Sequence, residues 1–205
     1  MLAVRFIAVL CILSMLPGCA MPVQVEDTEV EQMPSLEGKS VLMIIAPVNF
    51  RDEEFLEPKA VFEKQKMTVT VASKGVKTAK GMLGATAEID KDISAVNVDE
   101  YDAVVFIGGT GASAYFEDST ALSIAKEAYE KGKVVAAICI APSILANAGI
   151  LEGKKATCFS SESSNLETQG ANYTGGDVEV DGKVITASGP AAAKKFGAAI
   201  AGALK

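Results

Sequence analysis

An α/β fold built on a mostly parallel sheet is predicted by three features of this chain. Short, almost uninterrupted apolar runs recur along it, helix-length segments separate them, and glycine or proline marks the junctions. Residues 41–46 (Val-Leu-Met-Ile-Ile-Ala) form the first run, closed by Pro47. A continuous apolar stretch of this length suits a strand covered on both faces. Residues 68–72, 103–107 and 134–138 repeat the pattern. Helices are expected at 53–66, 119–131 and 141–148, the last with Pro142 in its first turn and Gly149 just past its end. Residues 83–98 read as a short edge hairpin or crossover. A hairpin over 178–185 should turn at Asp181-Gly182, and an alanine-rich helix at 191–204 should close the domain.

Composition narrows what such a fold can do. At 205 residues and 49% hydrophobic content the chain is long enough for one domain with a sizeable core. Nineteen Lys and Arg against 26 Asp and Glu leave a net charge of −7, which repels phosphate backbones, so no nucleic-acid partner is expected. The chain contains no histidine, and every Ser-His-Asp or Cys-His mechanism is therefore excluded. Its four cysteines, at positions 11, 19, 139 and 158, include no C-x-x-C pair, so neither a metal site nor a cofactor is expected.

The amino-terminal end reads as an address. Residues 1–18 carry one charge, Arg5, then an apolar stretch too short to span a bilayer, which takes about 20 residues. This is the pattern of a signal peptide. Cys19, directly after Gly18, resembles the lipid-attachment position of a bacterial lipoprotein. That resemblance implies a lipidated Cys19 and a membrane-anchored protein at the cell envelope, facing outside the cytoplasm. Residues 19–38 hold five acids and no Lys or Arg, as an acidic tether would. The folded domain is expected over 39–205.

Ligands of open α/β sheets bind outside the carboxyl ends of the strands, so the loops there hold the candidate site. Cys139 lies where the fourth apolar run meets a helix start. Unpaired N–H groups and the helix dipole at such a junction favour thiolate. The same residue also reads as one more small hydrophobe, and position alone leaves both readings open. Gly108-Gly109, after the third run, would let backbone N–H groups approach an oxyanion closely. Glu54 stands among the acids that open the first helix, where carboxylates ordinarily complement the dipole.

Taken together, the glycine pair, the Ala-Ile-Cys elbow with Pro142 three residues on, Glu54 four residues before Pro58, and the late Gly189-Pro190 closely resemble the ThiJ/PfpI family. The resemblance covers roughly residues 39–205. It implies a flavodoxin-like three-layer sandwich, shared with class I glutamine amidotransferases. By the same resemblance Cys139 is the elbow nucleophile, Glu54 its hydrogen-bonding glutamate, and Gly108 and Gly109 the backbone donors. Ile140, Ser188, Gly189 and Pro190 would line the ligand pocket. Two departures matter. Peptidase-like members carry His directly after the cysteine, where this chain has Ile140, and others place one where Phe159 stands.

Cys-His peptidase activity is thereby removed, and any acid–base step falls to Glu54. The resemblance implies a stress-response protein whose cysteine attacks a small reactive carbonyl, in a glyoxalase- or deglycase-like reaction, or is oxidised. It also implies a possible homodimer. A non-catalytic binding or interaction module on the same fold is the alternative. A Glu54 carboxyl sharing one proton with Cys139 is expected to hold the sulfur as thiolate at neutral pH. Cys158, in an apolar strand, is expected to be structural rather than a resolving partner for Cys139.

Overall fold

The computed structural model describes residues 35–205. The expected signal peptide, the expected lipidation at Cys19 and the tether up to residue 34 lie outside the described residues. The first half contains β1 (Ser40–Ile44), β2 (Val48–Phe50), α1 (Asp52–Lys64), β3 (Thr68–Ser73), β4 (Thr78–Gly81), β5 (Thr86–Glu88), β6 (Lys91–Asp92) and β7 (Ala103–Phe106). After these come α2 (Ser119–Glu130), β8 (Val134–Ile138), α3 (Pro142–Asn147), β9 (Lys155–Ala156) and α4 (Ser163–Thr168). The chain ends with β10 (Asn172–Tyr173), β11 (Val178–Asp181), β12 (Val184–Ala187) and α5 (Ala193–Ala203).

Seven strands form the central sheet in the order β11-β12-β8-β7-β1-β3-β6. All neighbours in it are parallel except β11 and β12, the expected hairpin, which pair antiparallel at one edge. Successive strand residues point to opposite faces, so each apolar run feeds two cores. Val41, Met43, Val105, Ala136 and Ile138 join Phe55 and Phe62 of α1 and Phe196 and Ile200 of α5. Leu42, Ile44, Val104, Phe106 and Val135 join Ile124 of α2, Ile144 and Leu145 of α3 and Leu166 of α4. The apolar runs predict this mostly parallel sheet covered on both faces, and the resemblance implies its three-layer sandwich. Tight packing between α1 and α5 depends on Gly197, since a Cβ there would sit 2.8 Å from Pro58 Cα.

Three details differ from the expectation. The hairpin near the first edge is β4–β5, spanning residues 78–88 instead of 83–98, and it joins β2 in a separate three-stranded sheet. The chain then forms the two-residue edge strand β6 and two 3-10 turns capped by the side chains of Asp92 and Asn97. Packing also begins before Lys39: Leu36 is buried, and its N–H donates to Gln65 O at 2.8 Å. Among the described residues no helix is long and apolar enough to cross a membrane.

Connections from β1 run outward one way, through α1 to β3, and those from β7 the other way, through α2 to β8. The switch point therefore lies between β1 and β7, and a ligand belongs beyond their carboxyl ends.

Candidate functional site

Cys139 directly follows the last residue of β8 and takes φ +64, a left-handed conformation that costs a non-glycine residue on the order of 1–3 kcal/mol. Its neighbours hold it there. The Cys139 N–H donates to Ala187 O at 2.9 Å, extending the β8–β12 ladder, and the Cys139 carbonyl accepts from Phe159 N at 2.8 Å. The side chain is thus turned out of the strand at the sheet's carboxyl end.

Glu54 comes from the first turn of α1, where Asp52, Glu53 and Glu54 stand in succession. Each has a different task. Asp52 is buried and clamps the β4–β5 tip, accepting from Leu83 N at 2.9 Å and Ala85 N at 2.7 Å. Glu53 takes a two-pronged contact from Arg51, at 2.7 and 3.0 Å. Glu54 has no solvent exposure at all and points inward at the elbow.

The glycine pair explains how the two side chains meet. A Cβ placed on Gly108 would lie 2.5 Å from Glu54 Oε2 and 2.6 Å from Cys139 Cβ. Carboxyl and cysteine therefore flank a single point that only glycine leaves empty. Gly109, at φ +91, would bring a Cβ within 2.3 Å of Arg51 N. The Gly108 carbonyl accepts from Arg51 N at 3.0 Å, tying the β7 loop to the start of α1. Beside the donor role expected of the glycines, the structure shows that they supply room.

Burial dominates the electrostatics. It pushes the Glu54 carboxyl up to about 7, against the pull of Cys139, Arg51 and the Gly108 N–H toward the charged form. Burial and the nearby Glu54 charge push the Cys139 thiol up to about 12, although the Gly109 and Ile140 N–H groups favour thiolate. Neither Glu54 oxygen completes a hydrogen bond of good geometry, so Cys139 and Gly108 act on it through proximity. The pair thus keeps one proton between pH 7 and 12. This corrects the expectation of a resident thiolate at neutral pH. The short α3, six residues long, and two N–H groups do not outweigh desolvation.

A pocket of about 250 Å³ opens over the pair, with Cys139 and Glu54 in its wall beside Arg51, Met82, Ile140 and Phe159. Gly109 and Pro190 also line it; Ser188 and Gly189 do not. Those two border a neighbouring groove, and the Ser188 N–H is taken up by Asp177 O at 2.9 Å. Gly189 nevertheless backs onto Glu54, its Cβ direction ending 4.0 Å from Oε1. Arg51, Met82, Thr110 and Ser161 are lining residues that no spacing in the sequence singled out. Among the described residues no cluster of His, Cys, Asp and Glu that could hold a metal is present. Cys139 and Cys158 are free thiols in different halves of the core.

Known proteins share this architecture. A model described as the DJ-1/PfpI family matches residues 39–203. An uncharacterized protein of Methanocaldococcus jannaschii is 45% identical over 170 residues, covering 82% of this chain and 83% of that protein. A Pyrococcus abyssi protein named as a deglycase is 32% identical over 151 residues, 73% of this chain and 90% of its own length. The crystal structure of a ThiJ/PfpI domain protein from Brachyspira murdochii aligns with a TM-score of 0.79 and 38% identity, over 82% of this chain and 98% of the other. A family match over nearly the whole described body, with relatives this similar over most of their length, shows that the chain belongs to the DJ-1/PfpI family.

Proposed function

We propose that this protein is a cysteine-dependent enzyme for small reactive carbonyls, deglycase- or glyoxalase-like, serving the removal of toxic electrophiles under stress. The observation that carries the reading is the wholly buried Glu54 carboxyl set against Cys139 across the gap above Gly108. A carboxyl raised to about 7 is a base matched to neutral pH. As Cys139 Sγ bonds to the carbonyl carbon, the thiol proton passes to Glu54 and the carbonyl π electrons move to oxygen. Glu54 then returns the proton to that oxygen, leaving a neutral hemithioacetal with the carboxylate restored. The Pyrococcus relative, named as a deglycase, supports a carbonyl substrate. Turnover of methylglyoxal by the full chain tests the reading. Cys139→Ala and Glu54→Gln should each abolish most of it, and unchanged turnover in both would end the carbonyl assignment.

A second reading, a non-catalytic pocket for a small ligand, draws on the thiol pushed up to about 12. It requires Cys139→Ala to bind the same ligand with unchanged affinity. We further infer an exported lipoprotein, supported by the signal-like residues 1–18 and by Cys19 after Gly18. Incorporation of labelled fatty acid into the wild type but not into Cys19→Ser checks it, and equal incorporation refutes it. A homodimer is part of the same proposal, and the sedimentation of the full chain decides it.

A further inference from the structure

Beside the pocket that holds Cys139 lies a second one of about 330 Å³, and the two share Phe159 and Pro190 as a common wall. The second is lined by Cys158, Ser160, Tyr173, Ser188 and Ala191 among others, and none of its lining residues carries a charge. Three of them, Ser160, Tyr173 and Ser188, bear hydroxyls, and the others include Phe159, Pro190 and Ala191. Volume makes this pocket conspicuous. A water molecule takes up about 30 Å³ in the liquid, so a dicarbonyl of five heavy atoms fits the first pocket, about 250 Å³, with room left over. A small aldehyde leaves the second pocket unused.

The Phe159 part of the wall between them is lightly held. The Phe159 backbone is fixed by its N–H to the Cys139 carbonyl at 2.8 Å, while the residue as a whole stays 47% exposed. Gly189 adds no side chain to hold the ring, whose Cδ2 lies 3.7 Å from where a Cβ would stand. A half-exposed aromatic loses little packing on changing rotamer. Rotation would join the two pockets into one groove that starts at the sulfur.

We propose that the second pocket is a subsite for an uncharged substituent on a larger carbonyl substrate, and that Phe159 is the specificity-determining partition that admits it. The proposal rests on Cys139 being the reacting group.

Alkylation of the full chain tests this without relying on turnover. Iodoacetamide and iodoacetanilide present the same reacting carbon, forming one S–C bond with loss of iodide, and differ by a phenyl ring on the amide nitrogen. Rates at Cys139 are read by mass spectrometry. Phe159→Ala should raise the iodoacetanilide-to-iodoacetamide rate ratio about tenfold, a difference of about 1.4 kcal/mol in barrier. Ala191→Phe, added to fill the second pocket from its exposed side, should return the ratio toward wild type. An unchanged ratio in Phe159→Ala overturns the proposal, as does a raised ratio that Ala191→Phe leaves intact. Loss of methylglyoxal turnover as a wild-type property, with the ratio still shifting, would strike only the carbonyl reading. Failure of Cys139 to label in any variant would overturn both.

Discussion

Cys139 and Cys158 are both buried, both free, and both pushed up to about 12, yet they differ in nearly everything that bears on reactivity. Cys158 sits in the core half beneath α2, α3 and α4, where burial and the charges of Glu162 and Glu167 hold it as a thiol with no compensating donor. Cys139 has a left-handed backbone, N–H groups of Gly109 and Ile140 directed at it, and a carboxyl able to take its proton. Burial alone gives both sulfurs the same resting state. In the proposed mechanism, what separates them is the route by which a proton can leave.

The largest test of that contrast is catalytic. Cys139→Ala should lower methylglyoxal turnover by about a thousandfold or more, whereas Cys158→Ala should leave it within about twofold. Comparable losses in both would erase the distinction.

Next comes the proton partner, read through stability. Glu54 has a carboxyl raised from 4.5 to about 7 in the folded state. Below 4.5 it is protonated in both states and its burial carries no ionic penalty. As pH rises through 7 the folded protein must hold a buried charge that the unfolded chain solvates, so stability is lost. The full difference is on the order of 3 kcal/mol. Glu54→Gln cannot ionise, and its stability relative to wild type should therefore rise by about that amount between about pH 4 and pH 8 in urea denaturation. A pH-independent difference would show that Glu54 is not buried as described. No such pH dependence is expected from Cys158→Ala over the same range.

A smaller effect sharpens the geometry. Gly108→Ala puts a Cβ 2.5 Å from Glu54 Oε2 and 2.6 Å from Cys139 Cβ, and should cost about 1–3 kcal/mol of stability while depressing labelling of Cys139 but not of Cys158. Normal stability and labelling would mean that the carboxyl and the sulfur do not crowd that point.

The sheet was legible because each of its four central strands is an apolar run that serves two cores at once, and period and length suffice to find it. The elbow was legible too, since Cys139 follows such a run and precedes Pro142. Less could be read where few residues carry the signal. The strands β2, β9 and β10 and the helix α4 are two to six residues long, and their apolar content is indistinguishable from that of a loop. Part of the pocket wall was hidden for another reason: Met82 lines the pocket with Cys139 from a distant segment, next to the β4–β5 tip that Asp52 clamps. Among the acids opening α1, sequence order made Asp52, Glu53 and Glu54 look alike. The resemblance set Glu54 apart, and the structure then separates a buried clamp, an ion-pair partner and a wholly buried carboxyl beside Cys139.

The most direct measurement is the pH dependence of Cys139 alkylation by iodoacetamide, followed alongside Cys158. A pair that shares one proton keeps a constant fraction of its sulfur anionic between its two ionisations, so the Cys139 rate should rise to an inflection near pH 7 and then level off through about pH 9. Glu54→Gln should abolish that plateau. A Cys139 rate that climbs about tenfold per pH unit across the whole range, as an isolated thiol's does, would contradict the shared proton on which the account stands.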